Sequence, residues 1–171
     1  MLGNILVTGC NGQLGSEFKN IASKYPDINF FFKDLDLDIS NKEDLENYII
    51  NKNINVILNT AAYTNVNNAE IEKNKADLIN SFAVKNLVEL SEKYNCKLIH
   101  YSTDYVYDGL DKKPMKESFP INPLNYYGIS KRNGEIFIEK SFSESIIIRT
   151  SWLYSFYGNN FVNTIIEKAK K

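Results

Sequence analysis

The 171 residues include 20 basic and 21 acidic side chains, for a net charge of -1, and 43% of positions are hydrophobic. Eleven Tyr, ten Phe and one Trp supply enough apolar surface for a core, which excludes a disordered chain, and the balanced charge gives no reason to expect nucleic acid or an anionic membrane as partner. The length suits one layered domain, no apolar run approaches the roughly 18 residues of a spanning helix, and Met1-Leu2-Gly3-Asn4 reads as no signal peptide.

Short β-branched runs alternate with longer amphipathic stretches. Asn4 to Val7 predicts a first strand, followed by a helix over Leu14 to Lys24. Ile28 to Phe32 predicts a second strand. The helix after it runs over Asn41 to Asn51, opened by a capping box of Ser40 and Glu43. Val56 to Leu58 predicts the third strand, and Asn67 to Tyr94 is long enough for two helices or one bent one. Lys97 to His100 is the fourth strand, Tyr126 to Lys140 its helix, Ile146 to Ile148 the fifth strand and Asn160 to Lys170 a closing helix. Most strands are apolar throughout, as parallel strands covered on both faces must be. The rhythm predicts an α/β fold: a three-layer, doubly wound, mainly parallel sheet of five or six strands in the order 3-2-1-4-5, one domain over residues 1–171. Ligands in such a sheet bind beyond the carboxyl ends of the strands.

Directly after the first strand stands Thr8-Gly9-Cys10-Asn11-Gly12-Gln13-Leu14-Gly15. Its glycines are spaced GxxGxxG, one residue wider than the GxGxxG fingerprint, but the chemistry is shared. A tight turn needs residues without Cβ, and phosphate must come close to backbone N–H groups at a helix N-terminus. This predicts a dinucleotide-binding Rossmann fold. Beyond the second strand, Asp34, Asp36 and Asp38 offer acids for the adenosine ribose of NAD, while Lys33 offers a partner for the extra phosphate of NADP. The choice between them stays open. Cys10 and Cys96, the two cysteines, suggest neither a disulfide framework nor a metal site, which fits the cytoplasm.

A carbonyl reductase needs a proton donor beside its hydride source. Tyr127 and Lys131 lie at i and i+4 on one helix face, and an ammonium there favours the phenolate. The spacing recurs as Tyr48 and Lys52, but in the helix after the second strand, so Tyr48 is read as helix surface or core. Ser102 and Thr103 both end the fourth strand with a hydroxyl that could reach a substrate carbonyl. His100, inside an apolar strand, is read as a satisfied core histidine, and Lys112, Lys113 and Lys116 as a solvated loop.

These motifs resemble the extended short-chain dehydrogenases/reductases, and within them the dTDP-4-dehydrorhamnose reductase family. The carrying segments are Ile5 to Gly15, Asn59 to Val66, His100 to Gly109, Pro123 to Gly128, Arg149 to Tyr154 and Gly158 to Phe161. Of these, STDYVYDG and RTSWLY are far more specific than the glycine loop. The resemblance implies NADPH- or NADH-dependent reduction of the 4-keto group of dTDP-4-dehydro-L-rhamnose to dTDP-L-rhamnose. It makes Tyr127 the proton donor, Lys131 the group that binds the nicotinamide ribose, and Thr103 the third catalytic residue. Gly9, Gly12, Gln13, Leu14 and Gly15 would cradle the pyrophosphate. Asp38, Ile39, Ala61, Ala62, Tyr63 and Thr64 would line the adenosine side, and Thr103, Asp104, Tyr105 and Trp152 would face the nucleotide sugar.

Two departures stand out. Cys10 occupies a place where a small residue is common. Family members also continue well past Lys171, so the chain reads as a cofactor-binding half without most of the sugar pocket. Some members hold magnesium between subunits through glutamates. Only Glu17 has a counterpart here, so no metal site is assigned and a homodimer is left open. Partner-binding regulatory proteins of the same fold, and reductases or epimerases for other nucleotide sugars, are the competing readings.

Overall fold

The computed structural model describes residues 3–111, 113–142 and 144–170; Lys112 of the basic loop and Met1-Leu2 lie outside the described residues. Five strands run in parallel: β1 (Asn4–Thr8), β2 (Asn29–Phe32), β3 (Ile54–Asn59), β4 (Lys97–Thr103) and β5 (Ser145–Thr150). Their order is β2-β1-β3-β4-β5. The predicted order 3-2-1-4-5 is therefore corrected. The chain turns back after its second strand, so β3 pairs with β1 instead of extending beyond β2. The two crevices that flank the reversal still open at the carboxyl ends of β1 and β3.

Between the strands lie α1 (Gln13–Ala22), α2 (Lys42–Asn51), α3 (Val66–Ala69), α4 (Lys73–Asp77), α5 (Ala83–Tyr94), α6 (Tyr126–Glu139) and α7 (Phe161–Ala169). The long helical stretch before β4 is indeed bent: α4 passes into α5 through a π-helical turn at Leu78–Phe82. The capping box before α2 shifts by one residue. Asn41 is the cap and accepts from the Asp44 N–H, because Ser40 gives its N–H and hydroxyl to Asp38.

Alternation along the strands builds two cores. Leu6, Ile57 and Leu98 face Leu45, Ile49, Val84, Leu87 and Ile138 from α2, α5 and α6. Ile5, Val7 and Leu58 face the other way, against Phe18 of α1 with Phe30 and Phe32. That is why the strands read as unbroken apolar runs. Tyr48 packs edge-on against Phe31, ring centroids 6.4 Å apart, at the margin of the first core. Both cysteines are free and buried. Burial raises the Cys96 thiol, which donates to the Ile54 carbonyl. Among the described residues, no helix is long and apolar enough to cross a membrane.

Candidate active site

The glycine loop leaves β1 through Gly9, whose φ of +64° is open to a residue without Cβ. A Cβ there would stand 2.6 Å from the backbone of Ala61, so the loops after β1 and β3 touch main chain to main chain. A Cβ on Gly15 would stand 2.5 Å from Cys10 Cα and from the Gly9 carbonyl oxygen. Gly12 caps α1 with no side-chain acceptor, and the first turn carries no acid. The N–H groups of Gln13, Leu14 and Gly15 thus open a helix N-terminus suited to an anion, above a cradle that side chains would fill. The residues present fit a dinucleotide pyrophosphate.

Around the loop, the Asn11 N–H donates to Asp34, Lys19 donates to the Asn11 side chain, and Lys33 pairs with Asp36. Acid and lysine are both engaged at the end of β2. Asp38 is exposed and spent on Ser40, while Ile39 is buried in the core beside Leu37. The side chain of Ile39 therefore packs inward beside Leu37. Ala61 and Ala62 are half-buried and Thr64 is exposed. Tyr63 is buried, and its hydroxyl donates to Glu72, which pushes the phenol up to about 12.

At the other crevice the fourth strand ends in Thr103, buried, whose hydroxyl accepts from the Tyr105 N–H and donates to Asp104. Asn125 caps α6 by accepting from the Gly128 N–H at 2.8 Å, which starts the helix so that Tyr127 lies in its first turn. The Tyr127 and Tyr105 rings meet edge to face at 5.7 Å. Burial raises the Tyr127 phenol, the Thr103 hydroxyl draws it back down, and Asp104 and Tyr105 push it up further. The expected pull of Lys131 on the phenol is not the arrangement found. Lys131 is 2% exposed, and its Nζ donates to the Tyr101 carbonyl at 2.6 Å and lies 3.3 Å from His100 Nε2. Burial lowers this lysine to about 8, against a smaller opposing effect of Glu135.

Thr103, Asp104, Tyr105 and Tyr127 therefore lie together, while the Lys131 amine, one turn along the helix, is turned to Tyr101 and His100. Trp152 stands apart from them, 76% exposed, at a φ of +51° and edge-on to Phe161 of α7 at 5.4 Å. Asn80, in the π turn, went unnoticed in the sequence. Its side chain accepts from the Tyr63 N–H and donates to the Tyr63 carbonyl and the Ser130 hydroxyl. Ser130 in turn donates to the Tyr127 carbonyl. One amide thus ties the loop after β3 to the helix that carries Tyr127 and Lys131. No sequence pattern singles Asn80 out, since the stretch around it carries other polar residues, Ser81 among them.

A second feature the motifs did not reveal is the ion pair that anchors this helix to β5. Glu135, fully buried, accepts from both Arg149 and Arg132. Burial alone would raise its carboxyl, but Arg149, Ser102 and Arg132 together hold it below the usual range.

The family described as the RmlD substrate binding domain matches residues 3–171. A dTDP-4-dehydrorhamnose reductase of Aggregatibacter actinomycetemcomitans is 40% identical over 172 residues, covering 99% of this chain and 58% of that protein. A crystal structure of a dTDP-4-dehydrorhamnose reductase from Clostridium acetobutylicum superposes with a TM-score of 0.92 at 38% identity, covering 98% of this chain and 59% of that one. Another from Bacillus anthracis, in complex with NADP, gives a TM-score of 0.92 at 35% identity, with 98% and 60% covered. The chain spans about three-fifths of the length of these relatives.

Proposed function

The chain belongs to the RmlD substrate binding domain family, and from that premise we propose that it is the dinucleotide-binding part of a reductase that converts dTDP-4-dehydro-L-rhamnose to dTDP-L-rhamnose with NADPH or NADH, acting in the cytoplasm. The observation that carries this reading is the edge-to-face contact of Tyr127 with Tyr105, in the turn that follows the Thr103 hydroxyl at the end of β4, with Lys131 one helical turn on. These side chains lie across the sheet reversal from the glycine loop.

When bound, the reduced dinucleotide supplies the hydride for C4 of the sugar. The remaining work falls to side chains. The N–H groups of Gln13, Leu14 and Gly15 hold the pyrophosphate. Thr103, its one hydroxyl hydrogen turned from Asp104 to the substrate, donates to the keto oxygen and holds it beside Tyr127. As negative charge builds on that oxygen, Tyr127 gives up its phenolic proton and the product alcohol forms. A phenol raised by burial keeps its proton at neutral pH, which suits an acid in the direction of reduction. Lys131 binds the nicotinamide ribose. Asp104 and Tyr105 face the sugar, and Trp152 joins them if its loop turns inward from Phe161.

Residues 1–171 are read as the cofactor half, with most of the nucleotide-sugar pocket contributed by sequence that the longer relatives carry. Calorimetric titration of the chain with NADPH and NADH tests this reading. Binding with little turnover of the keto-sugar nucleotide is expected. No binding of either dinucleotide at millimolar concentration would overturn it.

A further inference from the structure

Three polar side chains cross the sheet in register at the carboxyl ends of β1 and β3 and within β4. Thr8 of β1 is the Cα partner of Asn59 on β3, and Asn59 is the partner of His100 on β4. All three point to the face covered by α5 and α6, since each follows by two residues a core position: Leu6, Ile57 and Leu98. All three are almost inaccessible, at 1%, 1% and 0% exposure. Buried polar groups are retained where each finds a partner. The Thr8 hydroxyl donates to Asn59 Oδ1 at 2.7 Å. Asn59 Nδ2 then faces His100 Nδ1 at 2.9 Å, and His100 Nε2 faces Lys131 Nζ at 3.3 Å.

The row has a direction. An amide nitrogen can only donate, so Nδ1 of the ring must accept. Burial and the neighbouring Lys131 hold His100 well below its ordinary value, so the ring is neutral with a single hydrogen. That hydrogen must sit on Nε2, aimed at Lys131. An ammonium has no lone pair to receive it, whereas an amine has one, and can still donate to Tyr101.

We propose that His100 is a positioning residue for Lys131: held by Asn59 as its Nε2–H tautomer, it donates to the lysine in its amine form and so makes the lysine easier to deprotonate. The lysine is then close to exchanging its proton within the working range of a dehydrogenase, instead of being a fixed cation. The ammonium form requires the reverse arrangement, a bare Nε2 and an Asn59 amide turned over toward Thr8. Lys131 charge and the Thr8-Asn59-His100 row are thereby linked, and the row begins at the root of the glycine loop. The other groups around Lys131 are Glu135 on α6 with its partners Arg149 and Arg132, Tyr127 one turn back with Asp104 beside it, and Tyr101 on β4. Glu135 opposes the proposed effect, and its pairing with two arginines limits that opposition.

The consequence for catalysis rests on the reductase reading, but the hydrogen-bond assignment does not. His100 is the single histidine of the chain, so nitrogen-15 NMR of histidine-labelled protein reports its tautomer without ambiguity. At a pH above the lysine titration the Nε2–H form is expected, and an Nδ1–H ring would overturn the proposal. Carbon-13 NMR of lysine, with Lys131 assigned by its loss in Lys131→Met, gives the second readout. His100→Phe should raise the Lys131 midpoint by about one unit, a tenfold change in proton affinity, and His100→Gln, with an amide N–H near the place of Nε2, should restore it. An unchanged or lowered midpoint in His100→Phe would show the ring to be neutral in effect or an acceptor, and would overturn the proposal. Should His100→Phe fail to fold, the wild-type tautomer still decides. Failure to bind either dinucleotide would sink the reductase reading and leave both NMR results standing.

Discussion

Gly128 lies so close to Tyr105 that a Cβ on the glycine would stand 2.2 Å from the Tyr105 carbonyl oxygen. The first turn of α6 therefore rests directly on the short 3-10 turn, Asp104–Val106, that follows β4. This contact joins the element that carries Tyr127 to the turn that follows Thr103. Gly128→Ala must push the two elements apart, at a cost of about 1–3 kcal/mol for overpacking. Thermal unfolding should show the loss. Weaker edge-to-face contact between Tyr105 and Tyr127 should accompany it, visible in the near-ultraviolet circular dichroism. An alanine variant of wild-type stability would mean that the backbone gives way here at no cost.

Lys131 should weaken the fold that it serves. Its folded value of about 8 lies below the ordinary lysine value of 10.5, so burial disfavours the charged form. Between those values the unfolded chain binds more protons than the folded one, and stability rises with pH across the window. Below pH 8 both states carry the proton and the whole cost is present. By pH 10.5 it has been relieved. Lys131→Met, similar in volume, should therefore raise the melting temperature at pH 7, by an amount that corresponds to about 3 kcal/mol. The difference from wild type should shrink toward pH 10. A variant less stable than wild type at pH 7 would show that the contacts to Tyr101 and His100 outweigh the burial of charge.

The element types were legible because parallel strands between two helical layers are apolar on both sides, and Leu6 and Val7 report that directly. Strand order was not, since pairing of β3 with β1 is a long-range choice that no local pattern records. The glycine loop could be read from spacing and position together. Asn41 displaced Ser40 as a helix cap because Asp38 competed for the serine, a contest between neighbours that a capping pattern does not resolve. The resemblance puts Ile39 on the adenosine side, and only the fold shows that its apolar side chain joins Leu37 in the core. The π turn and its Asn80 had no sequence signature, because the groups that Asn80 bonds, on Tyr63 and Ser130, are distant in the chain.

Asn80 gives a test of that bridge. Its amide satisfies a backbone N–H, a backbone carbonyl and a hydroxyl, all buried. Asn80→Leu leaves the Tyr63 N–H and carbonyl without partners, at roughly 1–3 kcal/mol for each buried group left unsatisfied, while Ser130 keeps its bond to the Tyr127 carbonyl. Asn80→Asp keeps the acceptor for the Tyr63 N–H but loses the donors and buries a charge. Both should lower the denaturation midpoint, and faster amide exchange should appear at Tyr63 and along the first turn of α6. Exchange confined to the π turn itself would show that Asn80 serves its own helix and does not link the two crevices.

Tyr127 and Tyr48 make the sharpest comparison, because both open a Tyr-x-x-x-Lys pattern and only one stands at the crevice. Tyr48 lies on α2 against Phe31, with Lys33 Nζ 5.3 Å from its ring centre. Burial is the largest influence on its phenol, as for Tyr127, so perturbation alone does not separate the two. Position does: Tyr127 meets Tyr105 beyond the end of β4, and Tyr48 meets the outer strand of the sheet. In a chimera that joins this chain to the remaining part of the Aggregatibacter relative, Tyr127→Phe should cut turnover by about 100- to 10,000-fold, the usual contribution of general acid catalysis. Dinucleotide affinity should stay nearly unchanged, since the ring remains to pack and only the hydroxyl is lost. Tyr48→Phe should leave turnover within a factor of about two, because its hydroxyl is remote from the reacting atoms and a surface-edge change costs little stability. Loss of activity in Tyr48→Phe with retention in Tyr127→Phe would place the proton donor on the wrong helix, and the mechanism built on the end of β4 would fall with it.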